Sequence, residues 1–266
     1  MNFEKLNYSV TNEGVAVVEM NNPDKLNPID KPMANELEMV FHQAEEDRNV
    51  KVVVFKGAGR AFSGGGDVAY FNDMVKAGLD LELISRQMIQ MGHLVDFIKK
   101  MPKLVITEVQ GAAAGGGATL ALTGDFMFCA DNVKFYQAFV NISLVPDIGG
   151  TYLLSKMIGP NKTMDVITTG RVVRADEMKQ LGLAYEIVPK EKLDDRVMEF
   201  ANNLAKGPLV AYGRGKREVY ESNYRGLINY IENVEFPMQM EAFKTADFAE
   251  GVAAFCEKRK ADFKGI

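Results

Sequence analysis

Residues 104–122 read LVITEVQGAAAGGGATLAL. An unbroken apolar run with β-branched residues comes first, as a strand buried on both faces requires. A glycine cluster, Gly111–Gly117, comes directly after it, and Ala118–Leu122 continues as an apolar segment that reads as helix. The order strand, glycine turn, helix recurs around this segment. Val52–Phe55 is another continuous apolar strand, running into the glycine-rich loop Arg60–Asp67. Phe126–Ala130 is a third strand. Alternation of this kind predicts an α/β fold whose strands are covered by helices.

Working toward the N-terminus, Tyr8–Val10 and Val15–Met20 flank Asn12-Glu13-Gly14 and predict a hairpin. Pro23 and Pro28 mark a loop. Asp30 is placed to cap a helix reaching about Asp47, with Met33, Leu37, Val40 and Phe41 at helical spacing. A helix from about Leu79 to Lys100 ends at Pro102. Toward the C-terminus, 162–169, 174–181 and 191–206 read as helices, with 184–188 strand-like. Gly207-Pro208 is a hinge, which divides the chain into a core, 1–206, and a helical region, 207–266. Phe236, Met238, Met240 and Phe243 carry more apolar bulk than one helical stripe needs, so this tail requires a surface to pack on.

The chain has 266 residues, 47% apolar and 25% charged, with net charge −5 and both signs interspersed. No basic stripe marks a nucleic-acid partner. No apolar run approaches the ~18 residues of a membrane span, and the first ten residues lack a signal-peptide pattern. These features predict a cytoplasmic protein. The two cysteines, Cys129 and Cys256, lack disulfide or metal-ligand spacing and read as buried free thiols.

Three segments carry chemistry. In AFSGGGD, residues 61–67, the glycines allow uncommon dihedrals and keep side chains out of a ligand's way. In the second cluster, around Gly115-Gly116-Gly117, a helix begins and offers unpaired amides. One amide from each loop, arranged about a single oxygen, makes an oxyanion hole. Neither loop spells the dinucleotide-binding glycine pattern. The third segment is FYQAFVNISLVPDIGGTYLL, residues 135–154. Asp147 stands there between Pro146 and a Gly-Gly pair that opens an apolar helix. Two roles are open to it, a helix cap and a general acid/base.

Taken in order and at their spacing, AFSGGGD, QGAAAGGGATLAL and FYQAFVNISLVPDIGGTYLL resemble the crotonase family, the enoyl-CoA hydratase/isomerase enzymes. NNPDKLNPID (21–30) and GVAAFCEKRKADFKG (251–265) resemble that family's early and C-terminal segments, so the likeness covers nearly the whole chain. It implies a crotonase-like α/β spiral of β-β-α turns with a C-terminal helical region that forms homotrimers or dimers of trimers. It also implies an acyl-CoA thioester as substrate, with coenzyme A part of that substrate and no separate cofactor or metal. Gly64 and Gly116 would donate the oxyanion-hole amides. Lys25, Leu26, Ala61 and Phe62 would lie along the coenzyme A moiety, with Ser63, Gly65, Gly66 and Asp67 in the loop that frames it. Asp67 would brace that loop, and Phe255 and Lys258 would reach the nucleotide end.

The chain departs from the pattern where hydratases carry two glutamates: those positions are Thr119 and Phe139, and neither acts as a base near neutral pH. Asp147 matches the acid of the epoxyphenylacetyl-CoA isomerase branch. The resemblance therefore implies an isomerase in which one carboxylate removes an α-proton and returns it at the γ-carbon. Three other readings are a hydratase-like lyase whose acid is among Asp73, Asp96 and Glu108, a dehalogenase, and a coenzyme A-ester-binding subunit without catalysis. The dehalogenase reading suffers because the chain has no tryptophan and His93 is out of register. Met74, Met88, Met91 and Phe139 are candidates for an acyl pocket and equally for ordinary core.

Overall fold

A computed structural model describes residues 3–265. The hairpin forms between β1 (Leu6–Val10) and β2 (Val15–Met20), antiparallel, with Tyr8 opposite Val18. Helix α1 (Lys31–Glu46) starts where the Asp30 carboxylate accepts the Met33 amide at 2.9 Å. It buries Met33, Leu37, Val40, Phe41 and Ala44, the 3–4 spacing of a single face. Strand β3 (Val52–Gly57) is apolar and buried from Val52 to Phe55. Next come α2 (Val68–Ala77), capped by Asp67, and α3 (Leu81–Lys100), capped by Asp80. The chain then runs through β4 (Leu104–Val109), β5 (Ala112–Ala114), the short α4 (Gly116–Ala121), β6 (Phe126–Ala130) and β7 (Lys134–Tyr136). Helices α5 (Gly150–Ile158) and α6 (Pro160–Thr169) lead to β8 (Val173–Arg174), α7 (Ala175–Gln180), β9 (Glu186–Val188) and α8 (Leu193–Ala205). The rest is helical: α9 (Leu209–Asn223), α10 (Leu227–Tyr230), a π-helical segment Ile231–Glu235, α11 (Phe236–Phe243) and α12 (Ala246–Glu257).

Two sheets share these strands. The larger has the order β1-β2-β3-β4-β6-β9, parallel from β2 onward; the smaller has the order β5-β7-β8. Successive strands alternate between them: β4 and β6 lie in the large sheet, β5 and β7 in the small one. From β4 to β7 each turn of chain thus contributes one strand to each layer before a helix returns it, which is the expected spiral of β-β-α turns. Helix α8 covers one face of the large sheet through Val197, Ala201 and Ala205, while α1 and α3 cover the other through Phe41, Leu94 and Ile98. Burial of these faces supplies the driving force, roughly 1.5–3 kcal/mol for each large apolar side chain removed from water.

Three details depart from expectation. Strand β5 lies inside the glycine cluster, where periodicity is blank. Cys129 is buried but Cys256 is exposed, because α12 turns that position outward. Helix α2 comes after the first glycine loop in a stretch whose one buried residue is Met74, too few for a stripe to show. Among the described residues no helix is long and apolar enough to cross a membrane.

Asn27, with φ of 51°, is fully buried between the N-terminal loop and the first glycine loop. Its Nδ2 donates to the carbonyls of Ala58, Ala61 and Phe62 at 3.0, 3.0 and 3.2 Å, and its Oδ1 accepts the Asn22 amide at 2.8 Å. Asn27→Ala strands those carbonyls in a dry interior. It should lower unfolding stability by about 2–4 kcal/mol, read from a denaturant midpoint at unchanged slope.

Candidate active site

The two glycine loops are pressed into one ladder. Phe62 donates to Gln110 O at 2.8 Å, Ser63 to Ala112 O at 3.1 Å, and Ala114 to Ser63 O at 3.0 Å. At two positions of this contact only glycine fits. Gly65 has φ of +86°, and a Cβ there would stand 2.5 Å from Ala114 O; one at Gly117 would meet Ser63 at 2.7 Å.

The amide of Gly64, a residue that lines the cleft, donates to Leu26 O at 2.7 Å. Gly65 donates to Ser63 Oγ at 3.1 Å. The amides of Gly66 and Gly116 have no hydrogen-bond partner among the described residues, and both glycines line the main cleft. Gly64 lines the same cleft, so the first loop brings two glycines to it, of which Gly66 has the unpartnered amide. A glycine run in which three neighbours are chemically identical hides which amide the backbone turns outward.

The cleft has a volume of about 230 Å³. Phe71, Ile84, Met88, Met91, Phe139, Ile142 and Phe243 form its apolar walls, and Phe255 stands at its rim, 60% exposed. Met74 packs in the cluster behind them. Of the other expected contact residues, Phe62 points into the core against Phe55, and Ser63 is buried, donating to Asn27 O at 2.7 Å. Asp67 caps α2 by accepting the Tyr70 amide. Thr119 is buried away from the cleft, its hydroxyl 3.5 Å from Asp147 O. Lys25 and Leu26 form a short 3-10 turn and its left-handed exit beside Gly64. Ala61 is buried, and its carbonyl is held by Asn27. Lys258 is the exposed left-handed end of α12.

Asp147 is the one carboxylate among the residues lining the cleft. Its side chain does not cap α5, whose N-cap is Gly149 with φ of +93°. Glu235, from the π-helical segment, does that work by accepting the Gly149 amide at 2.5 Å. Asp147 is left facing the cleft, with Gln239 Nε2 at 3.3 Å from Oδ2. Burial pushes its carboxyl up to about 7, against the smaller opposing effect of Gln239. Burial, with the charge of Asp147 added, raises Glu235 to about 8, while its bonds to backbone amides pull the other way. Glu235 Oε2 is buried without a hydrogen-bond partner.

The acids considered from sequence lie elsewhere. Glu108 pairs with Lys56 at 2.8 Å, and Asp96 accepts Tyr220 Oη at 2.6 Å. Asp73 does not line the cleft. His93 is half exposed and pairs with Glu232 at 3.1 Å. Sequence reasoning misses Glu235 and Gln239; their four-residue spacing inside an apolar helical stretch is the available signal.

Residues 10–266 match a family model described as enoyl-CoA hydratase/isomerase. Trans-2-decenoyl-[acyl-carrier-protein] isomerase of Streptococcus mutans is 32% identical, with 100% of both chains covered. The 1,2-epoxyphenylacetyl-CoA isomerase of Escherichia coli K12 is 34% identical, covering 95% of this chain and 96% of its own. A crystal structure of an enoyl-CoA hydratase from Mycobacterium avium subsp. paratuberculosis superposes with TM-score 0.89 at 28% identity, covering 99% of this chain and 100% of that one.

Both buried acids keep their protons in the folded state well above the pH at which the unfolded chain loses them. Unfolding between about pH 4 and 8 thus releases protons, and stability falls as pH rises through that window. Asp147→Asn should stabilise the protein at pH 8 relative to pH 5, by on the order of 2–4 kcal/mol, measured by denaturant melts at both pH values.

Proposed function

The chain belongs to the enoyl-CoA hydratase/isomerase family, and from that premise we propose that it is an acyl-CoA isomerase in which Asp147 carries the proton. One observation carries the reading: a single carboxylate lines an apolar cleft that also receives two unpartnered glycine amides.

The thioester oxygen sits between the Gly66 and Gly116 amides. As a proton leaves the α-carbon, negative charge moves onto that oxygen, and the two N–H groups stabilise it more than they stabilise the neutral carbonyl. Asp147 takes the α-proton as the dienolate forms. The protonated acid, which can trade its proton with solvent, delivers a proton to the γ-carbon, so the double bond moves into conjugation and the carboxylate is regenerated. No water enters the balance. The equivalent dienolate route would serve the opening of a ring epoxide. A carboxyl near 7 suits this exchange, because a base matched to the working pH both accepts and returns a proton readily.

Hydration of the enoyl group is the second reading, since a solved relative is called a hydratase. It needs a group to activate water, and the cleft lining holds no carboxylate besides Asp147. That favours isomerisation. The same reading includes a homotrimer or a dimer of trimers, supported by the exposed Val210, Met238 and Phe255 of the C-terminal helices; light scattering on the purified protein tests it.

With a 3-enoyl-CoA substrate, the wild type should form the conjugated 2-enoyl thioester and exchange α- and γ-protons with deuterated solvent. Asp147→Asn should lower kcat by about 10²–10⁴-fold and abolish exchange. Activity should rise with pH through a midpoint near 7, where Asp147 ionises. A 3-hydroxyacyl product, or full activity in Asp147→Asn, would sink the proposal.

A further inference from the structure

Gln239 is fully buried within a helix whose neighbouring Met238 is 58% exposed. Both ends of its amide are engaged. Oε1 accepts the Val145 N–H at 3.0 Å, and Nε2 donates to Asp147 Oδ2 at 3.3 Å. The Val145 bond fixes which end of the amide is which, because an N–H can only meet the oxygen. The Nε2 donor is thereby aimed at the carboxylate. One turn earlier Glu235 accepts the Gly149 N–H. The loop bearing Asp147 is therefore held two residues before and two residues after the acid, by side chains four apart on one helical face.

The run that carries them is itself firmly seated. Ile231, four residues before Glu235, packs so closely on α3 and α5 that a Cβ on Gly92 or Gly149 would stand 2.8 or 3.2 Å from it. The π-helical segment ends at Glu235. The extra residue of such a segment resets the helical phase of the turns after it, and here it turns polar side chains inward in a stretch rich in apolar ones.

We propose that Glu235 and Gln239 are the positioning residues of Asp147, a two-point clamp through which the C-terminal helices set the direction and ionisation of the acid. The inference rests on Asp147 as the proton carrier. A base that removes a proton at one carbon and returns it two carbons away must keep its direction while its charge appears and disappears. Gln239 favours the ionised carboxylate through its donated bond. The charge of Asp147, once ionised, helps keep Glu235 protonated. The other titratable groups around this cluster are Tyr136, which lines the cleft, Tyr230, which feels Glu235, and the surface pair His93–Glu232.

The test compares Gln239→Met, Glu235→Leu and Glu235→Gln in the full-length enzyme, using 3-enoyl-CoA turnover and carboxyl-carbon NMR of Asp147. Gln239→Met keeps the volume and removes the donor. It should lower kcat by about 10–100-fold, as a misaimed catalytic group does, with KM changed little. It should also move the acid limb and the Asp147 NMR midpoint to higher pH. Glu235→Leu should lower kcat, and Glu235→Gln, which retains an acceptor for Gly149, should recover most of that loss. Unchanged kcat and an unmoved Asp147 titration in Gln239→Met would overturn the clamp. The NMR midpoint separates the two claims. Full activity in Asp147→Asn defeats the proton-carrier reading, while a shifted midpoint in Gln239→Met would still support the clamp.

Discussion

The contact on which the site depends is the hydrogen bond from the Gly149 amide to the Glu235 carboxylate. A helix start leaves amides without partners, and an aspartate two residues upstream is a natural candidate to satisfy them. Had Asp147 done so, its charge would have been stabilised by those amides and its direction fixed away from the cleft. A glutamate from a distant part of the chain takes that task instead. Asp147 keeps one weak side-chain donor, Gln239, and a raised pKa results from burial with little compensation. The unusual acid is thus a consequence of where another acid sits.

A second constraint is steric and lies between the glycine loops. The close approach leaves no room for a Cβ at particular positions: one at Gly111 would lie 1.9 Å from Arg60 O. Close approach lets Gly66 and Gly116, on separate loops, address one cleft. It also decides which amides remain unpartnered, because those on the seam, such as Ser63 and Ala114, bond across it. Asn27 holds the start of the first loop by binding the carbonyls of Ala61 and Phe62.

These forces also decide how much of the molecule is legible in its sequence. Continuous apolar strands such as β3 and β4 must be buried on both faces, so the layered α/β architecture can be read from them. Asp30 capping α1 is a local interaction and is equally readable. Asp147 stands out because an acid beside Pro and Gly-Gly is locally odd, but its two possible roles are separated only by a tertiary contact. Which amide of the first glycine loop stays unpartnered has a different cause. Within Gly64-Gly65-Gly66 no side chain reports the backbone direction, and the outcome is set by Leu26 O and Ser63 Oγ, one from a distant segment. Glu235 and Gln239 are hidden because the helix around them looks apolar. The excess of Phe and Met there reads as a surface seeking a partner, whereas Phe243 and the polar pair Glu235 and Gln239 point inward together.

That inversion bears on how the chain is organised. Gly207-Pro208 suggests a helical region separate from the core, yet Phe243 and Phe255 line the cleft and α12 packs on α2. An apolar cleft raises the cost of a buried charge, so the acid inside it must be held and compensated by something rigid. The helices beyond the hinge supply it, placing a donor at the carboxylate and an acceptor at the loop's exit. Chemistry in this fold then depends on two distant segments meeting at the short loop from Leu144 to Gly149, with neither half of the chain sufficient alone.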